Sequence, residues 1–504
     1  MLVNLPSGPL SKSYPGAVAL VVFSLIPYLA LTAAVFPLLD LISKSTGLTT
    51  QTLDITIALS TGAYAVGTVL AVQFAVHLRA RRMLVLYEAL FVVASVLAAW
   101  APDGAVFVGA FIMQGFCTSL MLIAAVPPLI TRWPARKMPL TGLIMNLCIF
   151  GAVAVGPTLG AAQLAGTSWR PLFWGVAGLS VLALLFSLLT FEDDSAQDLE
   201  APWDLAALAL AVLGCGAAFF GAGRLQATSS VGPGSLVPLI AGLAMIVILV
   251  VVEYRMRNPL MPVQAAATTL PVTGIFIALT ASASAFGIME LLLESLKTSS
   301  TPTQTALYFL PEFFAAVLVA GVFGALFRTR YTPVLALAGL ATIAVSAALL
   351  LATLPHAGPM VPAAAGLLGL GVAASVSPAL FMAGFSMRSP QLQRVFAMIE
   401  LMRGVTAFLV APVLIFLASV LGASAAAGID GSLWICLGIA AVGFLGGLAL
   451  YLTGRRGLHV PDIDRWQESD EPAWDSPPLF DRWRGSRRRR SVPGPVPERE
   501  KEVA

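Results

Sequence analysis

The sequence predicts an all-α integral membrane protein with about fourteen transmembrane helices, because of its composition and the length of its apolar runs. Of its 504 residues, 58% are hydrophobic and 11% are charged, which is too little charge to cover a soluble protein of this size. The apolar residues form runs of about 20, the length that an α-helix needs to cross a bilayer in which every backbone polar group must be paired. Lipid is therefore the expected solvent for most of the chain.

The first apolar run is too long for the core of a signal peptide, so we interpret it as a retained first helix. A basic stretch at 131–137 separates helices 4 and 5 most clearly. Counted as helices 1 to 14, the predicted spans are 17–41, 53–76, 83–101, 104–130, 139–165, 171–191, 203–222, 235–254, 270–296, 303–327, 332–354, 359–386, 392–421 and 431–453.

The distribution of Arg and Lys supports this count. Cytoplasmic loops are enriched in these residues, and one missed or added helix would destroy the alternation between basic and neutral loops. We therefore expect a multi-pass protein of the bacterial plasma (inner) membrane with both termini in the cytoplasm. The basic set of loops holds Arg79, Arg81, Arg82, Arg132, Arg136, Lys137, Arg255, Arg257, Arg328, Arg330, Arg388, Arg394, Arg455 and Arg456, and the other set holds Lys44, Arg170, Arg224 and Lys297.

Weak internal similarity predicts two related halves. The exit of helix 2 reads Arg79-Ala80-Arg81, and the exit of helix 10 reads Arg328-Thr329-Arg330. Internal repeats of this kind are common in transporter folds. We predict a six-helix bundle in each half, with helices 7 and 8 as an insert between them. The boundaries are 1–191 for the first bundle, 192–269 for the insert with its flanking loops, 270–453 for the second bundle and 454–504 for a tail.

The tail lacks apolar periodicity and is rich in Pro, Asp, Glu and Arg, so we predict that it is a disordered cytoplasmic segment. Its basic cluster either contacts anionic lipid headgroups or is simply solvated. That cluster contains Arg487, Arg488, Arg489 and Arg490.

A Gly/Pro motif on helix 5 gives the clearest local signal. It runs from Gly151 to Gly160 and ends in Gly156-Pro157-Thr158-Leu159-Gly160. Gly permits close helix approach, and Pro removes a backbone donor and bends the helix. The start of helix 6 reads Ser168-Trp169-Arg170-Pro171-Leu172-Phe173.

Both stretches resemble motifs of the major facilitator superfamily, in its fourteen-helix drug:proton antiporter branch, and the resemblance covers residues 17–453. It implies a major-facilitator-like fold, a monomer, and alternating access of a central cavity to the two sides of the membrane. The resemblance also implies a gating loop between helices 2 and 3, here formed by Arg79, Arg81 and Arg82.

The chain departs from the family pattern at three places. In the gating loop, Val76 and Arg79 stand where the family has Asp and Gly, and on helix 4 Phe111 stands where the family has an Arg tied to proton coupling. The mid-membrane Asp of helix 1 is absent, since Asp40 lies near the outer end. These departures keep an uncoupled carrier, or one for lipid-like molecules, open as alternatives.

Charged residues within the spans are candidates for coupling, because charge in a bilayer is costly and seldom idle. Glu400 and Arg403 are three residues apart near the middle of helix 13, so they share a face. They form either a structural ion pair or a switch in which protonation of Glu400 frees Arg403. Glu312 on helix 10 could exchange protons with the exterior. Glu290 and Glu294 share a face at the outer end of helix 9, as an acid pair of a vestibule or as a solvated cluster.

Polar side chains within the spans either line the central cavity or form hydrogen bonds between helices. These candidates are Tyr28, Tyr64, Gln114 and Asn146.

The sequence does not favour an enzyme, a metal site or a cofactor site. The four cysteines lie singly in apolar runs, and the three histidines fall in different loops on different sides. We expect an exporter of hydrophobic or amphipathic, drug-like small molecules, driven by proton antiport, that binds no nucleic acid. A degenerate transporter acting as a membrane sensor or scaffold is a further alternative.

Overall fold

The computed structural model describes residues 7–166, 168–192, 203–256, 259–354, 358–454 and 458–480. Within these ranges, fourteen helices are long and apolar enough to cross a membrane, as the sequence predicts. They are α1 Tyr14–Ala34, α2 Thr50–His77, α3 Ala80–Trp100, α4 Gly104–Thr131, α5 Ala135–Leu164, α6 Arg170–Leu189, α7 Leu205–Thr228, α8 Pro233–Arg255, α9 Thr269–Ser299, α10 Pro302–Leu326, α11 Thr332–Thr353, α12 Met360–Phe385, α13 Ser389–Val420 and α14 Ala425–Thr453.

Two of the predicted ends are wrong for a local reason. The first span was expected to continue to residue 41, but α1 ends at Ala34 and a 3₁₀ turn containing Pro37 precedes a separate short helix, Leu39–Thr46. Proline lacks the N–H that a continuous helix requires. The last span begins six residues earlier than expected, at Ala425, because the Ser424 hydroxyl accepts a hydrogen bond from the Ala427 N–H at 3.3 Å and caps the helix.

The Gly/Pro motif on α5 coincides with a change in helix geometry. A π-helical turn, Leu147–Gly151, separates the α-helical stretches Met138–Asn146 and Ala152–Leu164. Such turns add a residue to the helix and redirect the side chains around it. Pro157 lies in the second stretch, so α5 is irregular on both sides of Gly151.

Helices α1–α6 and α9–α14 form two six-helix bundles, which meet along two seams. In one seam α5 packs on α10, and in the other α13 packs on α2. Helices α2 and α10 hold equivalent positions in the two halves, and so do α5 and α13. Exchange of the two halves therefore turns one seam into the other. The insert joins through α7, which packs on α2 and α13, while α8 packs on α7.

The described chain begins and ends on the same side of the helices, which we call the terminal face. The Gly8 N–H bonds to the Phe191 carbonyl after α6, and the Tyr14 ring packs edge-on against Trp133 after α4. Gln467, near the other end of the chain, donates to the Trp133 carbonyl. We call the opposite side, which holds the short helix Leu39–Thr46, the vestibule face.

The prediction of a disordered tail does not hold for residues 458–480. They contain a short helix, α15 (Ile463–Glu468), whose Ile463 and Trp466 side chains are buried. A few apolar residues in a polar sequence are enough here, because the ends of the transmembrane helices offer both an apolar surface and unpaired backbone groups. Residues 481–504, including the predicted lipid-binding arginines Arg487 to Arg490, lie outside the described residues.

Candidate functional site: the seam between the bundles

A buried ion pair lies at mid-membrane where the bundles meet. On α13, the Arg403 guanidinium contacts the Glu400 carboxylate at 2.5 Å, and both side chains are almost fully buried. Because the residues are three apart on one helix, the pairing follows from helix geometry, as the sequence indicates. The Tyr64 hydroxyl on α2 donates to Glu400 at 3.1 Å, so the pair is bonded to the opposite bundle. A change in the charge of Glu400 would therefore alter its contacts with Tyr64 in the first bundle and with Arg403 in the second.

Aromatic rings surround the ion pair on the side of the vestibule face. Tyr64 packs edge-on against Phe408, which packs against Phe286 on α9 at 5.0 Å between ring centroids. Tyr28 stacks on Tyr64 and shares a 2.8 Å hydrogen bond with the Ser60 hydroxyl, so it joins α1 to α2 within one bundle. The rings separate the ion pair from the aqueous region above it.

A cavity of about 900 Å³ opens at the vestibule face between the bundles. Its wall combines apolar residues such as Phe36 and Ile415 with several charged side chains. A narrow extension, large enough for about one water molecule, continues inward to Phe408 past Thr61. The cavity therefore leads towards the Tyr64–Glu400–Arg403 group. Its charged residues are Asp40, Asp54, Glu290, Glu294 and Lys297.

Carboxylates outnumber cations on this wall. Lys297 pairs with Glu294 at 2.5 Å, which leaves Asp54 and Glu290 as acidic groups deeper in the cavity. Both predicted vestibule acids, Glu290 and Glu294, lie on the wall. Asp54 was missed, because as a residue near a helix end it carries no local signal. Asp54 shares the cavity with Glu290 because α2 and α9 both border it.

Glu312 lies apart from this group. It is buried in α10 against Gly369 of α12, and among the described residues its Oε2 atom has no hydrogen-bond partner. Glu312 is inside one bundle and does not line the vestibule cavity.

None of the four polar candidates for cavity lining is on the wall of the large cavity. Besides the two tyrosines, Gln114 donates to the Ser95 hydroxyl at 3.0 Å within the first bundle. Asn146 on α5 donates to the Ala373 carbonyl of α12 at 3.1 Å and thus crosses between bundles. These side chains form the interhelical hydrogen bonds that the sequence left as the other possibility.

The bundles are in close contact towards the terminal face. Gln393 at the start of α13 donates to the Ile123 carbonyl of α4 at 3.1 Å, a contact that sequence reasoning missed. In the other seam, Gly142 of α5 faces the Phe327 ring after α10 so closely that a Cβ atom at Gly142 would lie 2.6 Å from it. On this face, Arg79 lies between α2 and α3, and Arg81 and Arg82 lie in the first turn of α3, where the gating loop is expected.

The helix 5 motif lies where α5 meets both α1 and α10. A Cβ atom at Gly156 would approach the Ala30 carbonyl oxygen to 2.6 Å, and a Cβ atom at Gly160 would come even closer to the Ala34 carbonyl oxygen. Glycine at these positions therefore lets α1 and α5 pack backbone to backbone. Thr158, between them, donates to the Ala306 carbonyl of α10 at 3.2 Å, which closes the seam beside the cavity.

No group of three His, Cys, Asp or Glu residues in the described ranges could hold a metal ion. The four cysteines are free and buried. The arrangement thus consists of an acidic, amphipathic cavity, an ion pair beneath it, and a closed opposite side.

These features define a polytopic helical membrane protein of two bundles around a central pathway. The solved structure of the human organic anion transporter MFSD10 (TETRAN) has the same fold, with a TM-score of 0.58 at 13% identity over 86% of this chain and 99% of that one. A model of the Major Facilitator Superfamily matches residues 20–252, slightly less than half of the chain.

Two curated relatives are similar at lower coverage. Lincomycin resistance protein LmrB of Bacillus subtilis is 25% identical over 183 residues, 36% of this chain and 38% of that protein. Multidrug resistance protein Stp of Mycobacterium tuberculosis is 25% identical over 306 residues, 59% of this chain and 56% of that protein. The chain thus matches less than two thirds of either relative. The chain is thus similar, over part of its length, to proteins of the Major Facilitator Superfamily and shares their fold.

Proposed function

We propose that this protein exports amphipathic, drug-like small molecules across the plasma membrane in exchange for protons. The observation that carries the proposal is the cavity of about 900 Å³, which lies between two bundles that are in contact on the opposite face. Alternating access requires a central site that is open to one side only. The arginine-rich terminal face is the cytoplasmic side by the distribution of basic loops, so this arrangement is the outward-facing one.

The cavity wall indicates the kind of molecule. Apolar residues including Phe36, Leu293 and Ile415 suit a hydrophobic body, and the acidic residues Asp54 and Glu290 suit a positive charge on it. The names of LmrB and Stp, which describe resistance to lincomycin and to multiple drugs, are consistent with this class.

The Tyr64–Glu400–Arg403 group is the proposed site of proton coupling. Protonation of Glu400 would remove the carboxylate charge that holds Arg403, and would turn an acceptor for Tyr64 into a weaker one. Since Tyr64 and Glu400 belong to different bundles, this would loosen the contact that must change when the bundles rock. The family's coupling position on α4 does not compete with this group, because it is occupied by Phe111 in place of an arginine. Phe111 packs among the rings of Phe107, Phe173 and Tyr28.

Flux in proteoliposomes tests the proposal. Ethidium, a lipophilic cation, would be added outside proteoliposomes that contain protein inserted inside-out. Its entry would be followed by fluorescence with and without an imposed pH gradient. We expect gradient-driven flux from the unmodified protein and at least a tenfold loss with Glu400→Gln. Full flux with that variant, while Glu312→Gln abolished it, would transfer the coupling role to Glu312. The exposed Glu468→Gln variant is the control for a change of one charge.

The same experiment separates the alternatives. Flux that is equal with and without the gradient would identify an uncoupled carrier, which the missing family carboxylate on α1 favours. A labelled phospholipid in place of ethidium tests lipid-like cargo. Absence of flux for every compound would instead support a sensor or scaffold.

A further inference from the structure

The segment 458–480 crosses the terminal face and bonds to the ends of three transmembrane helices. The first four N–H groups and the last four C=O groups of a helix have no partner within that helix. At the start of α9, the Thr269 N–H donates to the Pro477 carbonyl at 3.0 Å and the Leu270 N–H donates to the Ser476 hydroxyl at 2.8 Å. The segment therefore supplies partners that this helix end lacks.

The same segment is anchored at the end of α12. Trp466 is fully buried, packs edge-on against Phe385 at 4.7 Å between centroids, and donates from its indole nitrogen to the Met387 carbonyl at 2.8 Å. The Ala473 N–H donates to the Phe385 carbonyl at 2.8 Å. With the Arg328–Asp464 ion pair after α10, these contacts fix the segment to the second bundle.

Among the described residues, Gln467 is the side chain of α15 that donates hydrogen bonds to the first bundle. The Gln467 amide nitrogen donates to the carbonyls of Trp133 at 2.9 Å and Ile130 at 3.3 Å, both at the end of α4. Helix α4 is the counterpart of α12 in the other half, so neighbouring residues of α15, Trp466 and Gln467, bond to the ends of equivalent helices in the two bundles.

We propose that residues 458–480 form a strap that holds the terminal face closed, with Gln467 as its releasable contact. If the bundles separate on this face, as the proposed alternating access requires, the strap moves with the second bundle and the Gln467 bonds to α4 must break. Water can replace Gln467 at the exposed end of α4, so release is inexpensive and reversible. The strap thus biases the resting protein towards the state that is open at the vestibule face.

Distances between spin labels test the strap without any transported compound. Labels at Arg136→Cys on the first bundle and Arg330→Cys on the second report separation at the terminal face, and both positions are exposed while the native cysteines are buried. Gln467→Glu keeps the size of the side chain, removes both donated bonds and places a carboxylate against two carbonyls. We expect the ratio of closed to open molecules to fall about tenfold, and to fall at least as much with Trp466→Ala. Glu468→Gln, the opposite change at the next, exposed residue, should leave the ratio unchanged.

Unchanged distance distributions in both Gln467→Glu and Trp466→Ala would overturn the strap, as would an equal shift in Glu468→Gln. The strap rests on the proposed alternating access, but the two experiments can fail separately. A shifted distribution in a protein that moves no compound supports the strap and counts against the transporter. Gradient-driven flux with unchanged distances supports the transporter and counts against the strap.

Discussion

The two faces of the molecule are built from different interactions. At the vestibule face, the bundles are separated by a cavity whose wall carries more carboxylates than cations. Towards the terminal face, the bundles touch, and the cross-bundle bonds of Asn146, Gln393 and Gln467 run from neutral amides to backbone carbonyls. Like charges discourage closure of the first face over an empty cavity. Neutral hydrogen bonds, each worth about 0.5–1.5 kcal/mol net, hold the second face closed but can be exchanged for water.

The ion pair between the two faces should give the largest effect on stability. Arg403→Met leaves the buried Glu400 carboxylate without its cation, and breaking a buried pair in this way costs about 3–5 kcal/mol. Thermal unfolding in detergent should show this as a large fall in Tm. The double variant Glu400→Met with Arg403→Met should recover most of the loss, because no charge is then left unpaired. A single variant as stable as the unmodified protein would mean that an unpaired Glu400 carboxylate is tolerated here and that the pair contributes little to stability.

Crowding the closed face should shift the balance between the two faces. In Gly142→Leu, the new side chain meets the Phe327 ring, and forcing extra volume into a packed contact costs about 1–3 kcal/mol. Most of that cost can be relieved by opening the terminal face, so the separation of labels at residues 136 and 330 should increase. Gly109→Leu on α4 is the matched control, since a Cβ atom there meets no neighbour. If both variants gave the same distances, the α5–α10 seam would not be part of the closure.

The vestibule carboxylates should contribute to cation binding according to their depth. Asp54→Asn should weaken ethidium binding about tenfold, whereas Asp40→Asn, at an exposed position near the cavity mouth, should weaken it about twofold because solvent and salt screen the outer charge. Fluorescence titration of purified protein at two salt concentrations measures both. Equal losses in the two variants would place the bound cation at the mouth and not in the depth of the cavity.

The number of spans could be predicted from the sequence, because the length and apolar composition of a span are local properties. The pairing of Glu400 with Arg403 could be predicted for the same reason, since a spacing of three residues fixes their relation on one helix. Their hydrogen bond to Tyr64 could not, because 336 residues separate Tyr64 from Glu400 along the chain. Asp54 was missed on the same ground: its role as a cavity residue depends on which helices border the cavity.

The strap was mistaken for disorder because its signal is sparse. Ile463, Trp466 and Trp474 are isolated among polar residues and show no helical or strand period. Their burial depends on the surface that the helix ends provide, which no window of the tail itself contains. Two tryptophans, Trp466 and Trp474, in an otherwise polar tail are the sequence feature that could have marked this segment as docked.

The smallest effect is expected for removal of Lys297. Among the described residues, it is the only cation on the vestibule wall. Lys297 pairs with Glu294 at an exposed site, where such pairs contribute about 0–1 kcal/mol. Lys297→Met should therefore change Tm very little. Its removal makes the cavity more negative, so ethidium should bind about two- to threefold more tightly at low salt, and this gain should vanish at high salt. Weaker binding of the cation in Lys297→Met would contradict the view that the charge of this wall selects the molecule that enters the cavity.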